Sequence, residues 1–251
     1  FDAVNHSFAT VATGGFSTKN LSVLHYNSVW IEIVLMVFMF LAGAHFGLLY
    51  SVIAGKPGSF FKSSVIKFYF YSILLGCLVL SLYLKFTGTV DEWGLALRQG
   101  FFQVVSLGTT TGFANADSSG WPPFAILILI YFCFQCACSG STTGGIKVDR
   151  VLIFFKSLRV QLKKQIHPNA ILPIKVDSHI IDKELVYNVN LYIGLYILIV
   201  FLATVFISIL NVSLIDSFTA SVACMGNVGP GFGTVGSLGN YSHFPDLATL
   251  I

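Results

Sequence analysis

Three times along this chain, a short amphipathic stretch leads into a glycine-bearing loop and then into a long apolar run. The loops read Thr13-Gly14-Gly15-Phe16, Thr110-Thr111-Gly112-Phe113 and Asn227-Val228-Gly229-Pro230. Loop backbone carries N–H and C=O groups that hydrocarbon cannot satisfy. It is tolerated at membrane depth only where it is buried in protein or lines a water-filled cavity. Three equivalent loops therefore predict repeated units around one axis, with the loops lining an ion pathway.

The surrounding sequence demands a bilayer. Of its 251 residues 55% are hydrophobic and only 10% charged, where a soluble domain has about 25% charged residues. Four runs carry no formal charge: Ile33–Gly55, Phe68–Leu84, Phe124–Ile146 and Leu185–Ile215. About 20 apolar residues in a helix cross the hydrocarbon core, so each run is expected to span. The second is helped by Lys67 and Lys85 at its ends, whose long stems reach back to the interface. Fold class is thus an all-α polytopic membrane protein made of repeated helix–pore loop–helix units.

Basic residues give an orientation. Lys56, Lys62, Lys67, Lys147, Arg150, Lys156, Arg159, Lys163, Lys164, Lys175 and Lys183 fall on one side of the expected spans. Lys19, Lys85 and Arg98 fall on the other. An excess of Lys and Arg marks the cytoplasmic side, which leaves the loops external and the protein multi-pass in the cell membrane. The basic residues mark an inner face and imply no nucleic-acid partner. The chain opens on Phe1 and breaks off within another apolar run, Phe244–Ile251. We expect it to be an internal piece of a longer protein.

Read in order, segment 1–55 holds a short pore helix (Phe1–Ala12), its loop and a spanning helix, Val29–Ile53, closed by the turn signal Lys56-Pro57-Gly58. Segment 62–167 is a whole unit, with an outward span (Lys62–Lys85), a pore helix (Asp91–Leu107), a loop and a descending helix (Phe124–Cys138). That helix breaks at Ser139-Gly140-Ser141-Thr142-Thr143-Gly144-Gly145, because glycines are poor helix formers at about 1 kcal/mol each against alanine. A basic helix, Val148–Ile166, follows. Segment 184–251 repeats the plan with a span (Glu184–Leu210), a pore helix (Asp216–Met225), a loop and the start of a last helix at Tyr241.

Other motifs carry less. Gly231-x-Gly233-x-x-Gly236 matches a dinucleotide fingerprint as a string, but no strand precedes it and Pro230 adjoins it. Gly140–Lys147 lacks the Gly-Lys-Ser/Thr ending of a phosphate loop. Cys77, Cys133, Cys136, Cys138 and Cys224 read as small packing residues, since no second half of a zinc site accompanies them. His6, His25 and His45 are conceivable proton relays. His45 is expected to pack against a pore or partner helix, and Glu32 to sit at the interface. No nucleophile–base set or carboxylate pair suggests an enzyme.

The loops suit a cation. Rings of backbone carbonyls can replace the hydration shell of an ion of potassium's size. Glycine permits the backbone angles that this requires, and the preceding short helices point their negative ends at the centre.

Val11-Ala12-Thr13-Gly14-Gly15-Phe16-Ser17, Thr109-Thr110-Thr111-Gly112-Phe113-Ala114 and Gly226-Asn227-Val228-Gly229-Pro230-Gly231 resemble the second, third and fourth selectivity-filter segments of Trk-type potassium uptake transporters. The broken stretch Ser139–Lys147 resembles the gating loop of that family's third repeat. The resemblance implies four repeats, potassium as the transported ion, no organic cofactor on this chain, a homodimer, and a cytosolic nucleotide-binding regulatory subunit. It assigns Gly15, Gly112 and Gly229 as filter glycines, with Thr13, Gly14, Phe16, Thr110, Thr111, Phe113, Asn227, Val228 and Pro230 beside them. Gly140, Ser141, Thr142, Thr143, Gly144, Gly145 and Lys147 become the gate. A sodium or mixed-cation member of the superfamily is the alternative. An organic-solute transporter with inverted halves fits less well, because these loops repeat in one orientation.

Overall fold

The computed structural model describes residues 1–170, 172–177 and 179–249. It is helical nearly throughout, as the apolar runs predict. The short helices before the three loops are α1 (Asp2–Val11), α6 (Trp93–Gly108) and α10 (Leu214–Gly226). The long helices are α5 (Ser64–Phe86) and α9 (Lys183–Ile209), both long and apolar enough to cross a membrane unbroken. Each buries a single stripe. On α9 it runs Val189, Ile193, Tyr196, Val200, Thr204 and Ile207, the i, i+3/i+4 spacing of one helical face, and α10 packs against this helix. Most of the remaining apolar side chains, such as Leu191, Leu195 and Phe201, are exposed, as a lipid-facing surface requires. Between α5 and α6, Gly100 approaches so closely that an added methyl would lie 3.1 Å from Ser81 Cα. Small residues let membrane helices come this near.

Two expected spans are interrupted. Val29–Ile53 is two helices, α2 (Val29–Ala42) and α3 (Phe46–Ile53), bent by 103°. The bend follows from who pairs with the freed backbone. Gly43 C=O accepts from Cys138 N–H, and Phe46 N–H donates to Gly140 C=O, both at 3.0 Å. His45 Nδ1 accepts from Gly47 N–H at 3.1 Å and caps α3. The break is thus satisfied by a segment about a hundred residues away, beyond any local signal. The run Phe124–Ile146 holds helix α7 (Pro123–Gln135) and then loop. The basic helix α8 begins at Val148 and ends at Ile166, at the expected bounds.

Smaller differences have local causes. The turn expected at Lys56-Pro57-Gly58 leads directly into a short helix, α4 (Pro57–Lys62), with Pro57 in the first turn, where its missing N–H costs nothing. Strands β1 (Lys175–Val176) and β2 (His179–Ile180) form a minimal antiparallel pair in a stretch with no expected element. Asp177 beside it accepts hydrogen bonds from Ser64 N–H and Ser63 Oγ at the start of α5. The last helix, α11 (Asp246–Thr249), starts after Pro245 rather than at Tyr241. Leu250 and Ile251 lie outside the described residues.

Candidate functional site

The helices α1, α6 and α10 end identically. Gly14, Thr111 and Val228 donate their N–H groups five residues back, to Ala9, Ser106 and Ala223, at 2.8, 2.9 and 2.8 Å. Thr13, Thr110 and Asn227 donate three residues back, to Thr10, Leu107 and Cys224, at 3.2, 3.0 and 3.1 Å. This pair of bonds is the Schellman helix end, which places one residue in the left-handed region. Thr13, Thr110 and Asn227 occupy it, with φ of 50°, 54° and 54°. Two residues later Gly15, Gly112 and Gly229 again have positive φ, of 63°, 79° and 100°. A threonine in this conformation is unusual, so the cap could not be read from sequence. The glycines could.

The loops meet backbone to backbone. A methyl on Gly15 would overlap the Thr111 carbonyl oxygen and stand 3.0 Å from its carbon. One on Gly112 would overlap the Val228 carbonyl oxygen and stand 2.9 Å from Pro230 Cδ. The first loop therefore abuts the second, and the second the third. Gly14, Gly15, Phe16, Thr111, Gly112, Val228, Gly229 and Pro230 line one cavity of about 210 Å³. The C-terminal ends of three helices add partial negative charge around it, roughly half an elementary charge each. That arrangement suits a cation.

The other expected loop residues sit behind this cavity. Phe113 is buried and stacks on His6, with ring centres 5.5 Å apart. Thr13 and Thr110 are buried caps, and Asn227 holds the left-handed position of its helix end. Gly229 C=O accepts from Tyr241 Oη at 2.9 Å. The returning segments are braced from the short helices. Ser106 Oγ donates to Phe113 C=O at 2.7 Å, Gln103 Nε2 to Ala116 C=O at 3.0 Å, and Thr219 Oγ1 to Phe232 C=O at 3.1 Å. His6 bonds Ser17 Oγ at 3.0 Å and so braces the chain leaving the first loop. Asp2 receives Thr18 Oγ1 at 2.8 Å and pairs with Lys19 at 3.2 Å. The Thr18 hydrogen bond, then Lys19, hold the Asp2 carboxyl down to about 2.

Under the loops lies the glycine-rich segment that follows α7. Thr142 Oγ1 donates to Val11 C=O, at the end of α1, at 3.1 Å. Gly144 N–H donates to Thr110 Oγ1 at 3.1 Å. A methyl on Gly144 would overlap the Gly226 carbonyl oxygen and stand 3.0 Å from Asn227 Cβ. Residues 142–144 thus touch all three loop-bearing ends. Ser141 Oγ turns inward, to Cys138 C=O at 2.6 Å and Thr143 Oγ1 at 2.8 Å. Gly140 and Gly145 have positive φ, as does Lys147. The Lys147 ammonium folds back onto the Thr143 carbonyl and hydroxyl, so its charge is tied to the segment. Asp149 accepts from Ser139 N–H, closing the segment at its far end.

Two polar residues of the first unit find partners here that the sequence does not show. A methyl on Gly140 would come within 3.1 Å of His45 Nε2, so the His45 ring lies against the glycine-rich segment. Glu32, in the first turn of α2, is enclosed by protein. It is 1% exposed and receives Arg98 through two bonds, at 2.7 and 2.9 Å, and Asn115 Nδ2 at 2.9 Å. Glu32 and Arg98 are 66 positions apart, and nothing local pairs them. Cys133, Cys136 and Cys138 are buried free thiols. Among the described residues no group of three or more His, Cys, Asp or Glu is arranged to hold a metal.

Comparison with known proteins agrees with this architecture. The TrkH family model, described as a cation transport protein, matches residues 1–251. The Trk system potassium uptake protein TrkH of Salmonella typhimurium is 34% identical over 236 residues, covering 94% of this chain and 49% of that protein. The protein of the same name from Halomonas elongata is 30% identical, covering 100% and 52%. The crystal structure of the potassium transporter TrkH from Vibrio parahaemolyticus superposes with a TM-score of 0.89 at 31% identity, over 93% of this chain and 51% of that one. The chain spans about half the length of the curated relatives it matches. With the family model matched over residues 1–251 and the backbone superposing over 93% of the chain, the chain belongs to the TrkH family of cation transport proteins.

Proposed function

We propose that this chain forms part of the membrane subunit of a potassium transporter. The segments 1–55, 62–167 and 184–251 are three repeats of the pore. Thr13–Phe16, Thr110–Phe113 and Asn227–Pro230 contribute the selectivity filter, and K⁺ passes along the cavity they line. Segment Gly140–Lys147 is the gate and α8 couples it to a cytosolic nucleotide-binding subunit of a homodimeric assembly. The loops face outward and the basic segments lie in the cytoplasm. The observation that carries this reading is the threefold recurrence of one helix end and one loop conformation, converging backbone to backbone on one cavity. Relatives named as potassium uptake proteins support the choice of ion.

The mechanism follows from the chain's own groups. Carbonyl oxygens held by rigid helix ends replace water around a dehydrated cation. The braces behind the loops keep those oxygens in place, so a smaller cation is less well satisfied. The segment beneath them closes the path, tied to the loop-bearing helix ends by Thr142 Oγ1 and Gly144 N–H. Tracer uptake by the full-length protein, in cells lacking their own potassium uptake, tests the reading. Potassium flux well above sodium flux is expected. Equal fluxes, or none, would reject it.

A further inference from the structure

The acidic side chains around the loops follow a pattern with one gap. Thirteen residues before the central glycine, the first and third units carry Asp2 and Asp216, while the second carries Gln99. Both aspartates anchor the chain returning from their own loop. Asp2 receives Thr18 Oγ1 at 2.8 Å and Tyr26 Oη at 3.1 Å, and Asp216 receives Thr234 N–H at 2.9 Å. Gln99 carries no carboxylate. In the second unit the anchor is Glu32, supplied by α2 of the preceding unit.

Glu32 is fully enclosed. Arg98 of α6 grips both its oxygens and Asn115, three residues past Gly112, donates to Oε2 at 2.9 Å. Arg98 also reaches Asn27 Oδ1 at 3.0 Å. The neighbouring residue is held from the same direction: Ala114 C=O accepts from Leu24 N–H at 3.0 Å and Ala114 N–H donates to Ser22 Oγ at 3.2 Å. A buried ion pair is a poor source of stability, because desolvation offsets the attraction. Its best use is geometric, since the planar guanidinium fixes the carboxylate through two parallel bonds.

We propose that Glu32, Arg98 and Asn115 are positioning residues that register the second loop against the first unit and thereby set ion preference. The proposal rests on the filter reading above. Arg98 orients the carboxylate, the carboxylate orients Asn115, and Asn115 fixes the chain leaving Gly112. Asn115 is the decisive link, since N115L cuts the loop from the clamp and leaves the ion pair whole. E32Q/R98Q removes both charges together, so no unpaired charge stays buried, and also loses the grip.

The test uses the full-length transporter, with potassium and sodium tracer uptake per assembled molecule and thermal melting of the purified protein. Both variants should assemble, and their potassium-to-sodium uptake ratio should fall by about tenfold, the worth of one hydrogen bond to a charged group. E32D keeps the charge and should retain most of the ratio. A purely structural role would lower the melting temperature and leave the ratio unmoved, which would overturn the proposal. Failure of E32Q/R98Q to assemble would also overturn it, by making the pair a folding element. A parent protein that does not prefer potassium rejects the filter reading itself; a selective parent with unaltered variants rejects only the clamp.

Discussion

Replacing Gly112 by alanine adds one methyl where the second loop meets the third. The backbone there has φ +79°, which costs an L-residue about 1–2 kcal/mol. The new Cβ would also overlap the Val228 carbonyl oxygen and stand 2.9 Å from Pro230 Cδ. Carbon atoms rest at about 3.5–4.0 Å, so Pro230 would have to retreat by roughly 0.6–1.1 Å. Neither neighbour is the free end of a flexible side chain. The third loop must therefore move as a unit, taking the Val228 carbonyl with it. One to two kcal/mol is a factor of about 5–30 in the population of the native arrangement. We expect the potassium-to-sodium uptake ratio of the full-length Gly112→Ala transporter to fall at least about fivefold on that scale. Gly194→Ala on α9 is the control. Nothing lies within 4 Å of a methyl there, and alanine improves a helix interior by about 1 kcal/mol. The assay is tracer uptake of both ions in cells without their own potassium uptake, normalised to membrane-inserted protein. A Gly112→Ala protein that inserts normally and keeps the parental ratio would refute the argument.

Deleting Gly140–Gly145 should raise potassium flux in the full-length protein and blunt its dependence on the regulatory subunit; a deletion that assembles and keeps parental flux and regulation would reduce the segment to a helix break. Gly144→Ala should act in the same direction more weakly, because its methyl would collide with the Gly226 carbonyl and unseat the segment; uptake at rest measures it. Single cysteines should report the orientation: an impermeant thiol reagent applied outside the cell should modify position 117 and spare position 163, and the opposite pattern would invert the topology. The Asp2 carboxyl is depressed from 3.8 to about 2, so its contribution is complete above pH 3.8 and is lost as pH falls through about 2. Asp2→Asn should therefore melt below the parent by the same margin at pH 7 and pH 5, with the gap closing only nearer pH 3; a margin that changes between pH 7 and 5 would contradict this.

Sequence alone determined the parts whose physics is local. The expected spans Lys62–Lys85 and Glu184–Leu210 lie within two residues of α5 and α9, because hydrocarbon demands closed backbone hydrogen bonding. Glycine spacing located all three loops, and the cluster Gly140–Gly145 located the break, because glycine marks backbone that departs from helix. Aligning the loops would also have revealed Asp2 and Asp216 at one offset and the gap at Gln99. Tertiary structure decided the rest. An apolar run gives no sign of which face meets lipid and which meets α10, so the stripe on α9 appears only in the packed protein. Threonine at a left-handed cap is locally unfavourable and is held there by the loops around it. The bend at Gly43 exists because Cys138 and Gly140 supply hydrogen bonds to the broken ladder. Glu32 is buried because Arg98 and Asn115 arrive from another unit. In each case the partner is distant in the chain, and a charge or a broken helix is stable at membrane depth only once that partner is in place.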